Sequence, residues 1–237
     1  MLRSQSLKLI LVLFLFVFIS ASARNSMRQR NVQAEAATRS LSAFNVFEPE
    51  TYSHHYGLQL YISNYNKMQS ELFTKIQKTE KAKLKLIDKI FTSYKLPGEL
   101  KYLAIVESEM KSSATSRVGA LGVWQLMPST AMDLGLRVDS TVDERLHLQK
   151  STKAAALYLR DLYRTFNDWS LAIAAYNCGP GPVFKAIKKA GSNNYWDLQQ
   201  YLPKETRHHV KKLMATQVFF EGKSNLADYY DGTLASK

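Results

Sequence analysis

The sequence predicts a mostly α-helical fold. Apolar residues recur at intervals of three and four from Tyr52 onward, as at Leu84, Ile87, Ile90, Phe91 and Tyr94, which is the spacing of one helix face. No stretch shows the strict alternation of a half-buried strand. Glycine contributes only 10 of 237 residues, too few for a turn-rich β architecture. Hydrophobic residues make up 46% of the chain, enough for one ordinary core plus terminal segments.

The first element is a leader. Arg3 and Lys8 precede an unbroken apolar run from Leu9 to Ile19, and Ala21-Ser22-Ala23 follows. A basic start, a short apolar run and small residues are the order of an export signal, with cleavage expected after Ala23. An uncleaved anchor is the alternative. Residues 1–23 contain no cysteine, so an N-terminal lipoprotein is not expected; the chain is read as exported to the periplasm or cell envelope. Residues 24–50 are polar and weakly periodic, with Arg24, Arg28 and Arg30 near their start. They read as a flexible tether, and residues 51–237 as the folded domain.

Within that domain, Leu58, Leu60, Tyr61 and Tyr65 predict a short helix. Met68, Leu72, Phe73 and Ile76 open a longer stripe, which resumes at Leu84. The charged interval Lys78–Lys83 is a solvated face or a break. Pro97 suits the start of a helix, and Pro128 opens another that stops near Gly135. Val138 to Leu148 reads as an irregular link. Ser151 or Thr152 can cap a helix running past Leu162. Trp169 starts the next helix, Val183 and Ile187 mark another, and a last helix runs from about Lys204 to Phe220. No internal repeat is visible.

The chemistry concentrates in Leu96–Ala131. Leu100, Leu103 and Ala104 share one helix face, and the next position on that face is Glu107. Glu109 lies about 200° further round and should face water. Burial disfavours the charged form of a carboxyl group, so an inward acid suits proton delivery. Ser112 to Ser116 is too polar to continue the helix, and Gly119 and Gly122 bracket a turn that can bring backbone close to a ligand. Trp124 and Gln125 follow among apolar neighbours. The combination suggests a sugar groove: a flat apolar wall, an amide for hydroxyls and an acid for the bond.

A second stretch, Ala175-Tyr176-Asn177-Cys178-Gly179-Pro180-Gly181, must break a helix. A tyrosine hydroxyl can hold the proton of a nearby glutamate, and an asparagine can bind an acetamido group or a hydroxyl. Alone, this stretch is a helix end with a core tyrosine. Cys178, the single cysteine, reads as a small buried residue, with no disulfide framework. No His/Cys cluster has zinc spacing, so no metal is expected. His54-His55 and His208-His209 read as surface or groove-rim residues. Lys plus Arg number 32 against 20 acids, a net charge of +12. That suits an anionic partner such as a carboxylate-bearing polymer or, peripherally, the envelope membrane. Nucleic acid is not expected, because the basic residues are spread along the whole chain without an aromatic motif.

Glu107-Ser108, Ala114-Thr115-Ser116, Gly119-Ala120, Gly122-Val123-Trp124-Gln125 and Met127-Pro128-Ser129-Thr130-Ala131 together resemble the catalytic core of family 1 lytic transglycosylases. The Gly-x-Trp-Gln wording resembles the membrane-bound lytic murein transglycosylase D type. The family expects an Ala-Tyr-Asn-x-Gly-Pro-Gly stretch at about the observed distance. Leu202-Pro203-Lys204-Glu205-Thr206-Arg207 is similar to its C-terminal helix start. The resemblance implies a lysozyme-like helical domain of the goose-type and SLT kind, acting on peptidoglycan glycan strands without a cofactor. It implies Glu107 as the catalytic acid, and Ser108, Gln125, Tyr176 and Asn177 as groups that hold acid and sugar. One departure stands out: the family usually has tyrosine before valine where this chain has His209 before Val210. Beside Glu107 and Glu109, the acids Asp133, Asp139, Asp143 and Glu144 lack an apolar-face argument, which favours a one-glutamate mechanism over the usual carboxylate pair. The rival readings are a goose-type lysozyme that hydrolyses the same bond, a non-catalytic peptidoglycan-binding module, and a nucleic-acid binder.

Overall fold

The structure, a computed structural model, describes residues 56–221. The leader read over 1–23 and the tether over 24–50 lie outside the described residues, as do residues 51–55 and 222–237. The described chain is helical, with isolated β-bridges but no named strand. Its helices are α1 Tyr56–Thr79, α2 Lys81–Ser93, α3 Leu103–Ser108, α4 Pro128–Asp133, α5 Leu148–Phe166, α6 Trp169–Cys178, α7 Pro180–Ala190, α8 Tyr195–Leu198 and α9 Lys204–Phe220. Short 3₁₀ turns occupy Gly98–Tyr102, Glu144–Leu146 and Gln199–Tyr201.

Helix α6 is the axis of the packing. Trp169 through Ala175 are all buried, because this segment is apolar all round and only a core can accept it. Asp168 caps its start, with Oδ1 accepting from the Leu171 N–H at 2.7 Å, and Gly179 at φ 81° ends it. Helices α5, α7 and α9 pack around it. Helix α5 turns Ala155, Leu159, Leu162 and Phe166 inward and supports α2 on its other side. Helix α1 lies along α9. There Phe73 meets Phe219 at 5.0 Å and Phe220 at 5.4 Å between ring centroids. Aromatic contacts of this geometry add to the area they bury.

Several boundaries differ from the sequence expectation. The first two predicted helices are one continuous helix, α1, and the break falls at Glu80. Leu60 and Met68, read as apolar-stripe residues, are exposed, since α1 needs only its α9-facing side. Helix α5 begins at Leu148, capped by His147, whose Nδ1 accepts from the Lys150 N–H. Ser151 and Thr152 are buried inside that helix instead of capping it. Pro97 precedes a 3₁₀ turn, and the α-helix proper starts at Leu103.

Burial of phenols couples this fold to alkaline pH. Burial raises the pKa of Tyr65 to about 12 and lifts those of Tyr102, Tyr158, Tyr176 and Tyr195 above their ordinary value. Unfolded tyrosine titrates near 10. Above that pH the folded state therefore keeps protons that the unfolded state has lost, and stability falls as pH rises. The melting temperature should hold up to about pH 9.5 and drop steeply beyond pH 10. Tyrosinate absorbance near 295 nm should grow in step with unfolding. Full ionisation near pH 10 in a still-folded protein would contradict this.

Candidate active site

The short helix α3 carries Glu107. Leu103, Ala104 and Ile105 are buried, and the helix ends abruptly after Ser108. Glu109 and Met110 both take left-handed backbone, at φ 55° and 65°. The reversal drops Met110 into the core at 1% exposure. It sends Glu109 outward to pair with Lys111 at 2.6 Å. Glu107 points the other way, with a side chain only 12% exposed.

Beyond α3 the chain forms a tight loop that returns to the helix. Ser108 Oγ lies 3.1 Å from the Ala104 carbonyl and 2.9 Å from the Val123 carbonyl, so one hydroxyl fastens loop to helix. Gly122, at φ 81°, is required by close approach: a Cβ there would sit 2.4 Å from the Arg145 carbonyl oxygen. Gln125 takes a left-handed φ of 46°. Such strain in a residue other than glycine persists only where its surroundings hold it. Here its Nε2 donates to the carbonyls of Ala114 and Gly122, both at 2.9 Å.

Helices α6 and α9 close the site. Tyr176 Oη donates to the Trp124 carbonyl at 2.8 Å. Burial first, and the Glu107 carboxylate second, push its pKa well above the usual phenol range, so it stays neutral. Asn177 Oδ1 accepts from Thr206 Oγ1 at 2.8 Å, which ties the end of α6 to the start of α9.

These elements enclose a cleft of about 650 Å³. Glu107, Gln125, Tyr176 and Asn177 all line it, together with Val118, Met127, Lys204, Glu205, His208, His209 and Lys212. Ser108 does not; it is buried behind the wall as a fastening. Trp124, read as the flat wall of a groove, is 0% exposed. It packs on Phe91 at 5.3 Å and donates its indole N–H to Thr152 Oγ1. Leu126 is likewise buried, and the exposed apolar rim is Val118 and Met127. Tyr176, expected to reach the acid, spends its proton on the loop backbone.

Of the two adjacent histidines, one departs from the sequence expectation. His208 does sit exposed at the rim, stacked on Tyr61. Burial and then the cations Lys204, Lys211, Lys212 and Arg207 lower its pKa. His209, expected beside it on the surface, is buried, with Nε2 2.9 Å from Glu107 Oε1. Its signal was available: position 209 falls with Thr206, Val210 and Leu213 on the buried face of α9. The cleft also holds a second carboxylate, Glu205, in the exposed first turn of α9. Asp139 and Glu144 are instead held by Arg137 and its neighbours, and Asp143 by Arg145. Cys178 is free and half-buried. Among the described residues, no group of three or more His, Cys, Asp or Glu is placed to hold a metal ion. No helix among them is long and apolar enough to cross a membrane.

Residues 86–199 match the family model of the transglycosylase SLT domain. The chain is 42% identical over 125 residues to membrane-bound lytic murein transglycosylase D of Escherichia coli, covering 51% of this chain and 27% of that protein. It is 32% identical over 126 residues to the soluble lytic murein transglycosylase of Salmonella typhimurium, covering 50% of this chain and 19% of that one. The chain thus spans about a quarter of the length of these relatives or less. Among solved structures, the 70 kDa soluble lytic transglycosylase of Escherichia coli superposes with a TM-score of 0.52 at 25% identity, over 59% of this chain and 24% of that one. The segment 86–199, which carries Glu107, Gln125, Tyr176 and Asn177, is thus similar to the transglycosylase SLT domain family.

Proposed function

We propose that the protein is a peptidoglycan lytic transglycosylase. One observation carries the reading: within an SLT-family segment, a single largely buried glutamate faces a cleft walled by Gln125, Tyr176 and Asn177. In this mechanism protonated Glu107 gives its proton to the glycosidic oxygen between N-acetylmuramic acid and N-acetylglucosamine. The bond from that oxygen to the muramyl C1 breaks, and the muramyl acetamido group stabilises the cation. Glu107, now a carboxylate, takes the proton of the C6 hydroxyl as its oxygen bonds to C1. The product is a 1,6-anhydro ring, and no water enters. Gln125 and Asn177 are assigned to sugar contacts. With Oδ1 engaged by Thr206, Asn177 keeps its Nδ2 donors for an acetamido carbonyl or a hydroxyl. Tyr176 and Ser108 act one step back, holding the loop that bears Gln125. The basic balance of the chain suits an anionic polymer. The leader read over 1–23 would deliver the enzyme to the envelope, where that polymer lies.

Glu205 gives hydrolysis a foothold as a second reading, since a second carboxylate in the cleft is what a lysozyme needs. Digested cell wall separates the two. Non-hydrolytic cleavage leaves muropeptides ending in 1,6-anhydro-N-acetylmuramic acid and creates no reducing ends; hydrolysis adds one water, about 18 Da per cut, and ends that borohydride labels. We expect anhydro ends, with Glu205→Gln leaving the product unchanged. Mainly reducing ends, lost in Glu205→Gln, would establish the lysozyme reading instead.

A further inference from the structure

His209 lies beyond the segment that matches the SLT model, on α9, and its contact with Glu107 joins positions 102 residues apart. Both side chains are nearly closed to solvent, at 9% and 12% exposure. Nε2 faces Glu107 Oε1 at 2.9 Å, while Nδ1 is buried and has no hydrogen-bond partner among the described residues.

That asymmetry selects one protonation form. An imidazolium, or the neutral form protonated at Nδ1, would bury an unpaired N–H, and orphaned buried N–H groups are rarer than under-satisfied acceptors. The imidazolium would also pair with an ionised Glu107, which then has no proton to deliver. The form protonated at Nε2 leaves only a lone pair unmatched and donates its N–H to Oε1. We propose that His209 is a positioning residue for Glu107: a neutral imidazole whose Nε2–H occupies Oε1 and so confines the transferable proton to Oε2. The proposal rests on the reading of Glu107 as the acid. It gives the contact a direction in the reaction. Once Oε2 has given up its proton, the same N–H faces a carboxylate, and hydrogen bonds to ionised acceptors are shorter and stronger. His209 thus stabilises Glu107 most when the acid has become the base. A phenol can donate in the same way, so the imidazole replaces the family's usual tyrosine as the donor, without needing to carry charge.

The first test needs no variant of the site. Long-range ¹H–¹⁵N spectra of full-length protein labelled in histidine, with His209 assigned by its absence in His209→Gln, should show a neutral ring protonated at Nε2 near neutral pH. An imidazolium or a ring protonated at Nδ1 would overturn the proposal, whatever the kinetics. The second test uses turnover of purified glycan strands. His209→Ala should lower kcat about 10- to 100-fold, the loss expected for one charge-assisted hydrogen bond, with KM little changed. His209→Gln and His209→Tyr, which both offer a donor, should recover most of that loss. A folded His209→Ala with full kcat, or a loss confined to KM, would overturn it. If Glu107→Gln keeps activity, the assignment of the acid falls and this proposal with it. If Glu107→Gln is dead and the His209 variants are unimpaired, only this proposal falls.

Discussion

Glu107→Gln is expected to abolish turnover of peptidoglycan while leaving the melting temperature almost unchanged. The amide matches the carboxyl in size and can accept from His209 through its carbonyl oxygen, so the contact between α3 and α9 survives. What it lacks is a proton to give. General acid–base catalysis is worth about 10²- to 10⁴-fold, and here the same group must act twice, as acid and then as base. A loss at or beyond the upper end of that range is therefore expected. Glu109→Gln is the control. Two positions along the chain, Glu109 stands in left-handed backbone past the helix end and pairs with Lys111 at the surface. An exposed pair of this kind contributes at most about 1 kcal/mol. Its removal should leave more than half of the activity. Melting curves and release of soluble muropeptides check both variants; equal losses would mean that the orientation of α3 plays no part in catalysis.

The direction of Glu107 was legible from spacing alone, because Leu100, Leu103 and Ala104 fix which face of the segment enters the core. This held even though the segment is a 3₁₀ turn followed by a six-residue helix: the three-residue period of the turn aligns Leu100 with Leu103, and the α period then carries Leu103 to Glu107. Helix α9 was legible almost to the residue, since Pro203 precedes it and Val210, Leu213, Met214 and Val218 keep a helical spacing on its buried face. Trp124 was misjudged for a physical reason. A tryptophan beside a glutamine reads as a sugar platform, but whether its face is free depends on Phe91 and Thr152, which are remote in sequence. His209 was misjudged because two adjacent histidines were given one reading, although neighbours on a helix lie about 100° apart and only His209 falls with Val210 and Leu213 on the buried face of α9. Glu205 was passed over because an acid in an exposed first turn has an ordinary role at a helix N-terminus. Only the folding of α9 across the loop brings it into the cleft.

Arg145→Ala is expected to cost more stability than any other single substitution outside the apolar core. Arg145 was hidden in what the sequence presented as an irregular link. It is 7% exposed. Its guanidinium grips Asp143 through Nε at 3.0 Å and Nη2 at 2.7 Å. Its Nη1 donates to the carbonyls of Gly119 at 2.7 Å and Leu126 at 2.9 Å. These hydrogen bonds hold the Asp143 carboxyl below the usual carboxylate range. One side chain therefore closes both ends of the glycine turn that carries Gln125 to the cleft. Truncation leaves the Gly119 carbonyl without a donor, the Leu126 carbonyl with only the Leu121 N–H, and a carboxylate without its cation. Removing one partner of a buried ion pair costs about 3–5 kcal/mol, and with Asp143 still 22% exposed the loss should fall toward the lower end of that range. In a domain of this size each kcal/mol lowers Tm by about 2–4 °C, so a drop of about 10 °C is expected. Lysine should not rescue it, because a single ammonium cannot reproduce the planar fork. Activity measured well below the melting temperature should fall further than the unfolded fraction explains, since the turn places Gln125. Gly122→Ala loads the same joint from the other side, forcing a Cβ against the Arg145 carbonyl at a backbone angle that disfavours alanine. It should lower both Tm and activity in the same direction. An Arg145→Ala protein that melts within about 2 °C of wild type, well under one such pair's worth, would show that the turn stands without its clasp.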